Sequence, residues 1–338
     1  MLAATFVLMA GMKWGSAVIS PVLMALFFAV IITPVYRWLT RKGLAKGLAL
    51  TIVILFVLAI GIGLILFVVA SFGRLIDELA VYQGQLAERE SAIGAWLADA
   101  GIEVGGGTLL ANANPEEWGQ WIVGFVGGLF SFAGLAVFML VTMIFAIAES
   151  TDIAAKLRVG IGVENPMTAK ISIFVNSLVR YFGIRTLINA ITGGAVAIML
   201  TLMGVDFAIL WGVLTFFLSY IPYIGITLAT IPAVVLAYAE FGFARALLVI
   251  VGVLIINFAA ENAVAPTLLG KGLSISPLAV FVSFFFWTWL LGPFGMVLAM
   301  PLTVLVLFLL DSYTDTRWLA LLIGPPLEQE EALAGQDS

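Results

Sequence analysis

Long apolar runs, separated by short charged segments, are the dominant pattern of this chain. Runs without a charged side chain cover residues 14–36, 47–73, 118–148, 186–205, 207–239 and 272–310. A membrane-spanning helix needs roughly 20 apolar residues. Most of these runs are therefore long enough to cross a bilayer once, and the last two are long enough to cross it twice. The pattern predicts an all-α, polytopic membrane protein with about eight membrane helices.

Proline and glycine interrupt the two longest runs, so we expect broken or re-entrant helices there. Pro222 and Gly225 belong to a Pro-Tyr-Ile-Gly segment inside the first of these runs. Gly292, Pro293 and Gly295 interrupt the second. Broken helices are tolerated in a bilayer where they are buried in protein or line a cavity. These residues are hinge or site candidates, and the alternative is that they form plain turns between spans.

Three local features predict where individual spans begin or end. Residues 1–12 are apolar and are expected to be the later part of a first span. Pro34 is expected to end the second apolar segment, because proline cannot continue a regular helix. Asp206 separates two apolar runs and is expected to be a solvated turn residue.

We expect a single membrane domain over residues 1–338, with three segments outside the apolar spans. Residues 73–117 predict an extramembrane amphipathic helix and loop, with the helix packed on the protein itself, used for self-association or lying on the membrane surface. Residues 149–185 predict an interfacial amphipathic helix on the cytoplasmic side that starts at Pro166. Residues 311–338 predict a polar C-terminal tail.

The charges also predict an orientation in the membrane. Residues 36–46 carry four basic side chains and no acidic one. Cytoplasmic loops carry an excess of lysine and arginine, so this segment is expected to be cytoplasmic and the acidic segment 73–117 to lie on the opposite face. Counting the crossings from there places both termini on the cytoplasmic side of the cell's inner membrane.

Composition agrees with a membrane protein and narrows its chemistry. Hydrophobic residues make up 63% of the chain and charged residues 10%, and the mean hydropathy is +1.17. The net charge of −5 leaves no basic surface for nucleic acid. Cysteine and histidine are both absent, which excludes disulfides, Cys/His metal sites and catalysis that needs histidine. We therefore predict no enzyme activity, no cofactor and no metal site.

Glu261 is the strongest candidate for ion coupling. It is the only ionisable side chain between Ala246 and Leu269, and charges persist inside membrane segments mainly where they have a function. Asn257 lies one helical turn earlier and Asn262 follows directly. Pro266 cannot continue a regular helix, so Glu261 is expected near a helix C-terminus. A carboxylate at this point could exchange a proton or, with Asn262, coordinate a small cation. The alternative is an interfacial carboxylate bonded to backbone amides or to a neighbouring span.

Three further residues are candidates for a substrate entrance. Arg185 and Asn189 lie one turn apart where a predicted span begins, and Lys271 follows the helix of Glu261. The first two could meet an anionic solute or lipid headgroup, and Lys271 could pair with Glu261. The alternatives are that Arg185 extends to the membrane interface and that Lys271 is an ordinary cytoplasmic anchor.

The order of short motifs along the chain resembles the autoinducer-2 exporter (AI-2E) family of permeases. The resemblance rests on Pro21 to Phe27 with Pro34 near the N-terminus, on Tyr181-Phe182-Gly183, on Pro222 to Gly225, and on Glu261-Asn262, Pro266, Gly270-Lys271, Leu273, Pro277, Gly292, Gly295 and Pro301. It implies an oligomeric multi-span transporter. The family includes members linked to quorum-signal export and others linked to Na⁺(Li⁺)/H⁺ exchange.

From these observations we predict a secondary transporter that exports a small solute or exchanges Na⁺ or Li⁺ for H⁺ across the cytoplasmic membrane. Its expected partners are membrane lipids, the small-molecule, cation or proton substrate, and further copies of the same chain. The alternative is a non-transporting oligomeric scaffold or a passive pore.

Overall fold

A computed structural model gives the fold, and it describes residues 2–99, 134–149, 166–221, 224–269 and 276–312, with a few separate residues near 120–128 and 316–319. All regular elements in these ranges are helical. They are α1 (Leu2–Trp14), α2 (Ser16–Arg41), α3 (Lys46–Asp99), α4 (Gly134–Glu149), α5 (Pro166–Met203), α6 (Ala208–Leu218), α7 (Gly225–Phe241), α8 (Phe243–Ala259), a π-helical turn (Ala260–Val264), α9 (Ala265–Leu269), α10 (Pro277–Leu291) and α11 (Pro293–Ser312).

The predicted fold class is confirmed. Among the described residues, five helices are long and apolar enough to cross a membrane, and four shorter apolar helices accompany them. The helix start predicted at Pro166 and the breaks predicted before Gly225 and at Gly292 are all present. The described residues do not include residues 100–117 of the predicted loop, residues 150–165 of the predicted interfacial segment or most of the tail 311–338.

The chain divides into two compact units. The first unit comprises Met1–Leu55, Leu135–Thr186 and Ala265–Ser338, and the second comprises Phe56–Gly134 and Leu187–Val264. Helices α3 and α5 each contribute to both units. The second unit ends at the last residue of the π-helical turn.

Helix α2 differs from the expectation at its C-terminal half. It continues through Pro21 and Pro34 to Arg41, so the prediction that Pro34 ends the segment is wrong. Membrane helices tolerate internal proline because neighbouring helices and Ser or Thr side chains satisfy the freed backbone groups. The hydroxyl of Thr33, directly before the proline, donates to the Ala29 carbonyl at 2.6 Å, next to the Val30 carbonyl that loses its helical N–H donor at Pro34.

Helix α3 is much longer than a membrane crossing. Its 54 residues extend over about 81 Å at 1.5 Å per residue, whereas the hydrocarbon core is only about 30 Å thick. The apolar part, Lys46–Glu78, is the candidate span, and the acidic amphipathic stretch after it continues the same helix to Asp99. Helix α5 likewise joins the predicted interfacial stretch to the following span without interruption.

The first unit contains a small core and a tight helical hairpin. Met24, Ala25, Met139 and Leu298 form the core. Helices α10 and α11 meet at Gly292, whose φ of 68° suits glycine. A side chain at Gly295 would overlap the backbone carbonyl of Trp287, so the two helices pack closely beyond the turn.

The second unit has the larger core, built from α3, α5, α6, α7 and α8. Its buried members include Phe72, Leu75, Tyr82, Leu200, Trp211, Ala237 and Val249. Tyr82 belongs to this core although it lies past the apolar span of α3, so α3 packs on the helices of this unit both at the end of the span and after it. We call residues 75–89 of α3 the α3 extension.

Candidate functional site

The helix that carries Glu261 is irregular at that residue. The α-helical hydrogen-bond pattern of α8 changes to a π-helical turn at Ala260–Val264 and becomes α-helical again in α9. Pro266 explains the change, because it has no N–H and its ring clashes with the carbonyl of residue 262 in a regular helix. The helix widens here instead of ending. π-helical turns inside α-helices are rare and frequent at functional sites.

The π-helical turn presents polar side chains on the protein surface. Glu261 and Asn262 are both exposed, whereas Ala260 is buried. The Asn262 amide donates to the Phe258 carbonyl at 3.0 Å, which leaves the side-chain oxygen of Asn262 available to a ligand. Asn257, one turn earlier, is half-buried. Lys271 lies outside the described residues, and its pairing with Glu261 stays a prediction.

Asn189 is buried inside the second unit. It is 1% exposed, and its side-chain nitrogen has no hydrogen-bond partner in the described part of the chain. A buried amide without a partner costs about 1–3 kcal/mol. The neighbouring polar side chain on α5 differs, since the Thr192 hydroxyl donates to the Ile188 carbonyl at 2.9 Å. Arg185, one turn before Asn189, is half-buried.

The break between α6 and α7 lies in the same unit. Helix α6 ends at Leu218, and a side chain at Gly225 would overlap the Leu218 carbonyl. Ser219, in the turn between them, is buried. Glycine is therefore required at 225 by the close approach of the two backbones, and Pro222 lies outside the described residues. Whether this break or the one at Gly292 and Pro293 moves during function stays a prediction.

A second group of acidic residues was missed from the sequence. Tyr82 Oη in the α3 extension lies 2.8 Å from Glu78 Oε2 and 2.7 Å from Asp206 Oδ2. The Asp206 backbone N–H donates to Glu240 Oε1 at 3.4 Å. We call Glu78, Tyr82, Asp206 and Glu240 the carboxylate cluster. The four-residue spacing of Glu78 and Tyr82 on one helix was a visible signal, but their partners are far away in sequence.

The electrostatics of this cluster favour bound protons. Burial raises the pKa of Glu240 to about 7, with the nearby Asp206 carboxylate adding to the effect. Burial, followed by the hydrogen bonds to Asp206 and Glu78, holds the pKa of the Tyr82 hydroxyl far above its usual range. Burial and like charge both disfavour the ionised form of an acid.

Arginine side chains and the turn backbone hold the cluster in place. Arg89 donates to the backbone carbonyl of Glu240 at 3.4 Å, and Arg245 donates to that of Met203. The Trp211 indole donates to the Asp206 carbonyl at 3.1 Å. Asp206 is exposed in its turn, as expected, yet its side chain is hydrogen-bonded. Among the described residues, no group of three acidic side chains is arranged to hold a metal ion.

Known proteins similar to this chain are named as transport proteins. Residues 2–315 match the family described as AI-2E family transporter. The chain is 30% identical over 324 residues to the AI-2 transport protein TqsA of Escherichia coli (strain K12), covering 96% of this chain and 94% of that protein.

Two further relatives have similar coverage. The putative transport protein YhhT of Escherichia coli (strain K12) is 28% identical over 324 residues, covering 96% of this chain and 93% of that protein. A putative transport protein of Haemophilus influenzae is 31% identical over 333 residues, covering 96% and 94%. The chain is a multi-pass membrane protein and belongs to the AI-2E family of transporters.

Proposed function

We propose that this protein is a secondary transporter that moves a small polar solute across the cytoplasmic membrane, coupled to protons or monovalent cations at Glu261. The observation that carries the proposal is the π-helical turn that places Glu261 and Asn262 inside a candidate membrane-spanning helix. An acid at such depth costs several kcal/mol unless it has a partner, an ion or water. A widened turn also supplies backbone carbonyls outside the regular hydrogen-bond ladder.

Coupling at Glu261 requires that proton and cation compete for the same group. A protonated Glu261 is neutral and has no attraction for a cation. Once the proton leaves, the carboxylate and the Asn262 side-chain oxygen provide two oxygen ligands of the kind that small hard cations prefer. Binding of one ion therefore displaces the other, which is the chemical requirement for exchange.

The solute site is proposed at Asn189. Its unpartnered amide donor suits an oxygen acceptor on a small organic molecule. One relative is named AI-2 transport protein, which supports an organic solute as cargo. We propose that the helix break preceding Gly225 belongs to the same solute pathway, because non-helical backbone at membrane depth is tolerated where it lines a cavity.

The test of ion coupling is flux in liposomes that contain the purified protein and an internal pH dye. Addition of Na⁺ or Li⁺ outside is expected to change the internal pH with wild-type protein and not with Glu261→Gln. Asp77→Asn is the matched control, since it removes one exposed carboxylate on α3 and is expected to behave as wild type. Equal flux in Glu261→Gln and wild type would overturn the role of Glu261.

The same preparation separates the alternatives. A passive pore would show flux in wild type that persists without an ion gradient, and a scaffold would show no flux of ions or solute. For the solute site we expect Asn189→Leu to fold with unchanged or slightly higher stability, because it removes an unpaired buried amide. The same variant is expected to lose solute uptake while keeping any cation-driven pH change. Retained solute uptake would contradict this placement.

A further inference from the structure

The geometry at Tyr82 requires one more hydrogen than the phenol carries. Its oxygen lies within 2.8 Å of carboxylate oxygens from both Glu78 and Asp206. A tyrosine hydroxyl has one hydrogen to donate, and ionised carboxylates are acceptors only. For both contacts to be hydrogen bonds, a protonated carboxyl group must donate the second one to the phenol oxygen. With both carboxylates ionised, one of the two contacts would place lone pairs against each other.

These contacts join segments that are far apart in sequence. Tyr82 and Asp206 are separated by 124 positions, and Arg89 bonds to the backbone of Glu240 across 151 positions. Tyr82 is only 6% exposed, and Leu75 is also buried in the core of the second unit. The cluster therefore fastens the α3 extension to the turn between α5 and α6 and to the end of α7.

Within the described ranges, no basic side chain pairs directly with the carboxyl groups of the cluster. The charged side chains near the cluster come from four elements. Helix α3 contributes Glu78, Arg89 and the exposed Arg74, Asp77 and Glu88; the turn contributes Asp206, α7 contributes Glu240 and α8 contributes Arg245. The hydrogen bonds of Arg89 and Arg245 described above go to backbone carbonyls. Three carboxyl groups thus share one small region, and full ionisation would set like charges against each other.

We propose that the carboxylate cluster is a pH-sensitive latch, in which a proton held among Glu78, Tyr82, Asp206 and Glu240 keeps the α3 extension docked on the α5–α6 turn and the end of α7. Glu240 contacts the turn through its Oε1, which accepts from the Asp206 N–H. Burial raises the pKa of Glu240 to about 7, so its ionisation near neutral pH adds a negative charge beside Asp206. The added repulsion between carboxylates opens the contacts at Tyr82, and the α3 extension separates. The latch lies where the apolar span Lys46–Glu78 ends, which is the end of the span away from the basic segment 36–46. It therefore responds to pH on that side of the membrane, independently of transport at Glu261.

The experiment measures the distance between α3 and α6 in the full chain. The sequence has no cysteine, so Val81→Cys with Ile209→Cys creates two unique positions for spin labels. These side chains are 58% and 63% exposed and lie outside the cluster. Pulsed electron paramagnetic resonance would be recorded in lipid nanodiscs between pH 5 and pH 9. We expect one short distance at acid pH and a growing second, longer population as the pH rises through about 7.

Two variants make the test specific. In Asp206→Asn the amide can donate to the Tyr82 oxygen while Tyr82 donates to Glu78, so both bonds form without an added proton. This variant is expected to keep the short distance at every pH. Tyr82→Phe is expected to show the long population even at acid pH, and Asp77→Asn to follow wild type. A wild-type distance that does not change with pH, or Asp206→Asn with the wild-type midpoint, would overturn the latch.

Discussion

Two acidic regions of the second unit, the π-helical turn at Glu261 and the carboxylate cluster around Tyr82, are built in opposite ways. The turn takes its polar groups from neighbouring residues on one helix, and Glu261 is exposed. The cluster takes its groups from α3, a turn and the end of α7, around a phenol that is almost fully buried. A local feature of one helix can meet an ion directly. A cluster assembled from several helices is sensitive to their relative position.

The difference implies a division of roles. A single exposed carboxylate in a candidate span is suited to exchange ions with its surroundings. Acids that share a hydroxyl between separate elements are suited to change how those elements pack. If this division is correct, substitutions at Glu261 should change ion flux, and substitutions in the carboxylate cluster should change stability and its pH dependence.

The largest effect is expected on cation-driven flux, where Glu261→Gln and Glu240→Gln should differ. The first should reduce cation-driven flux in liposomes to the level of protein-free liposomes, because the exchanged proton loses its binding group. The second should keep flux at acid pH, where Glu240 in wild type is already protonated. If both variants lost flux equally at acid pH, the result would contradict separate roles for Glu261 in ion transport and for the cluster in helix packing.

Tyr82→Phe should have the next largest effect, on stability rather than on transport. It removes a buried hydroxyl that contacts two carboxylates, and a lost buried hydrogen bond to a charged group costs about 1.5–3 kcal/mol. We expect a lower thermal unfolding midpoint in detergent, with tryptophan fluorescence as the readout. Glu261→Gln, measured alongside, should unfold near the wild-type temperature. A Tyr82→Phe midpoint equal to wild type would contradict a structural role for the hydroxyl.

The pH dependence of stability should come from the cluster, through Glu240. Its folded pKa is about 7, against a usual value of 4.5, so the folded state binds a proton that the unfolded state has released between these values. Stability therefore falls as pH rises from about 4.5 to about 7. After allowance for solvent screening we expect a loss of about 1 kcal/mol. Unfolding midpoints over this range should decline in wild type and stay flatter in Glu240→Gln.

The smallest effect should come from Asp77→Asn. Asp77 precedes Glu78 in the sequence, but its side chain points about 100° away from that of Glu78 around the helix. Surface substitutions of this kind usually change stability by less than about 0.5 kcal/mol. We expect wild-type flux, unfolding temperature and pH profile. A clear change in the pH profile would mean that general charge on α3, not the geometry at Tyr82, controls the cluster.

The sequence was informative where a property depends on neighbouring residues. The spans follow from uninterrupted apolar length, the start of α5 from Pro166, and the turn between α10 and α11 from Gly292 and Pro293. Pro266 predicted a disturbed helix beside Glu261, although not that it would widen into a π-helical turn. Pro34 predicted a helix end that is absent, because satisfaction of the freed backbone groups depends on surroundings that composition does not reveal.

The sequence alone identifies a helical membrane protein with an acid inside a candidate span, because hydrophobic length and isolated charge are local properties with large energies in a bilayer. The fold was needed to show that Asn189 is buried with no partner for its amide nitrogen among the described residues, and that Tyr82 joins Glu78 to Asp206. Those facts depend on which helix faces come together. Helix packing is the sum of many small contacts between distant residues, and no short stretch of sequence contains it.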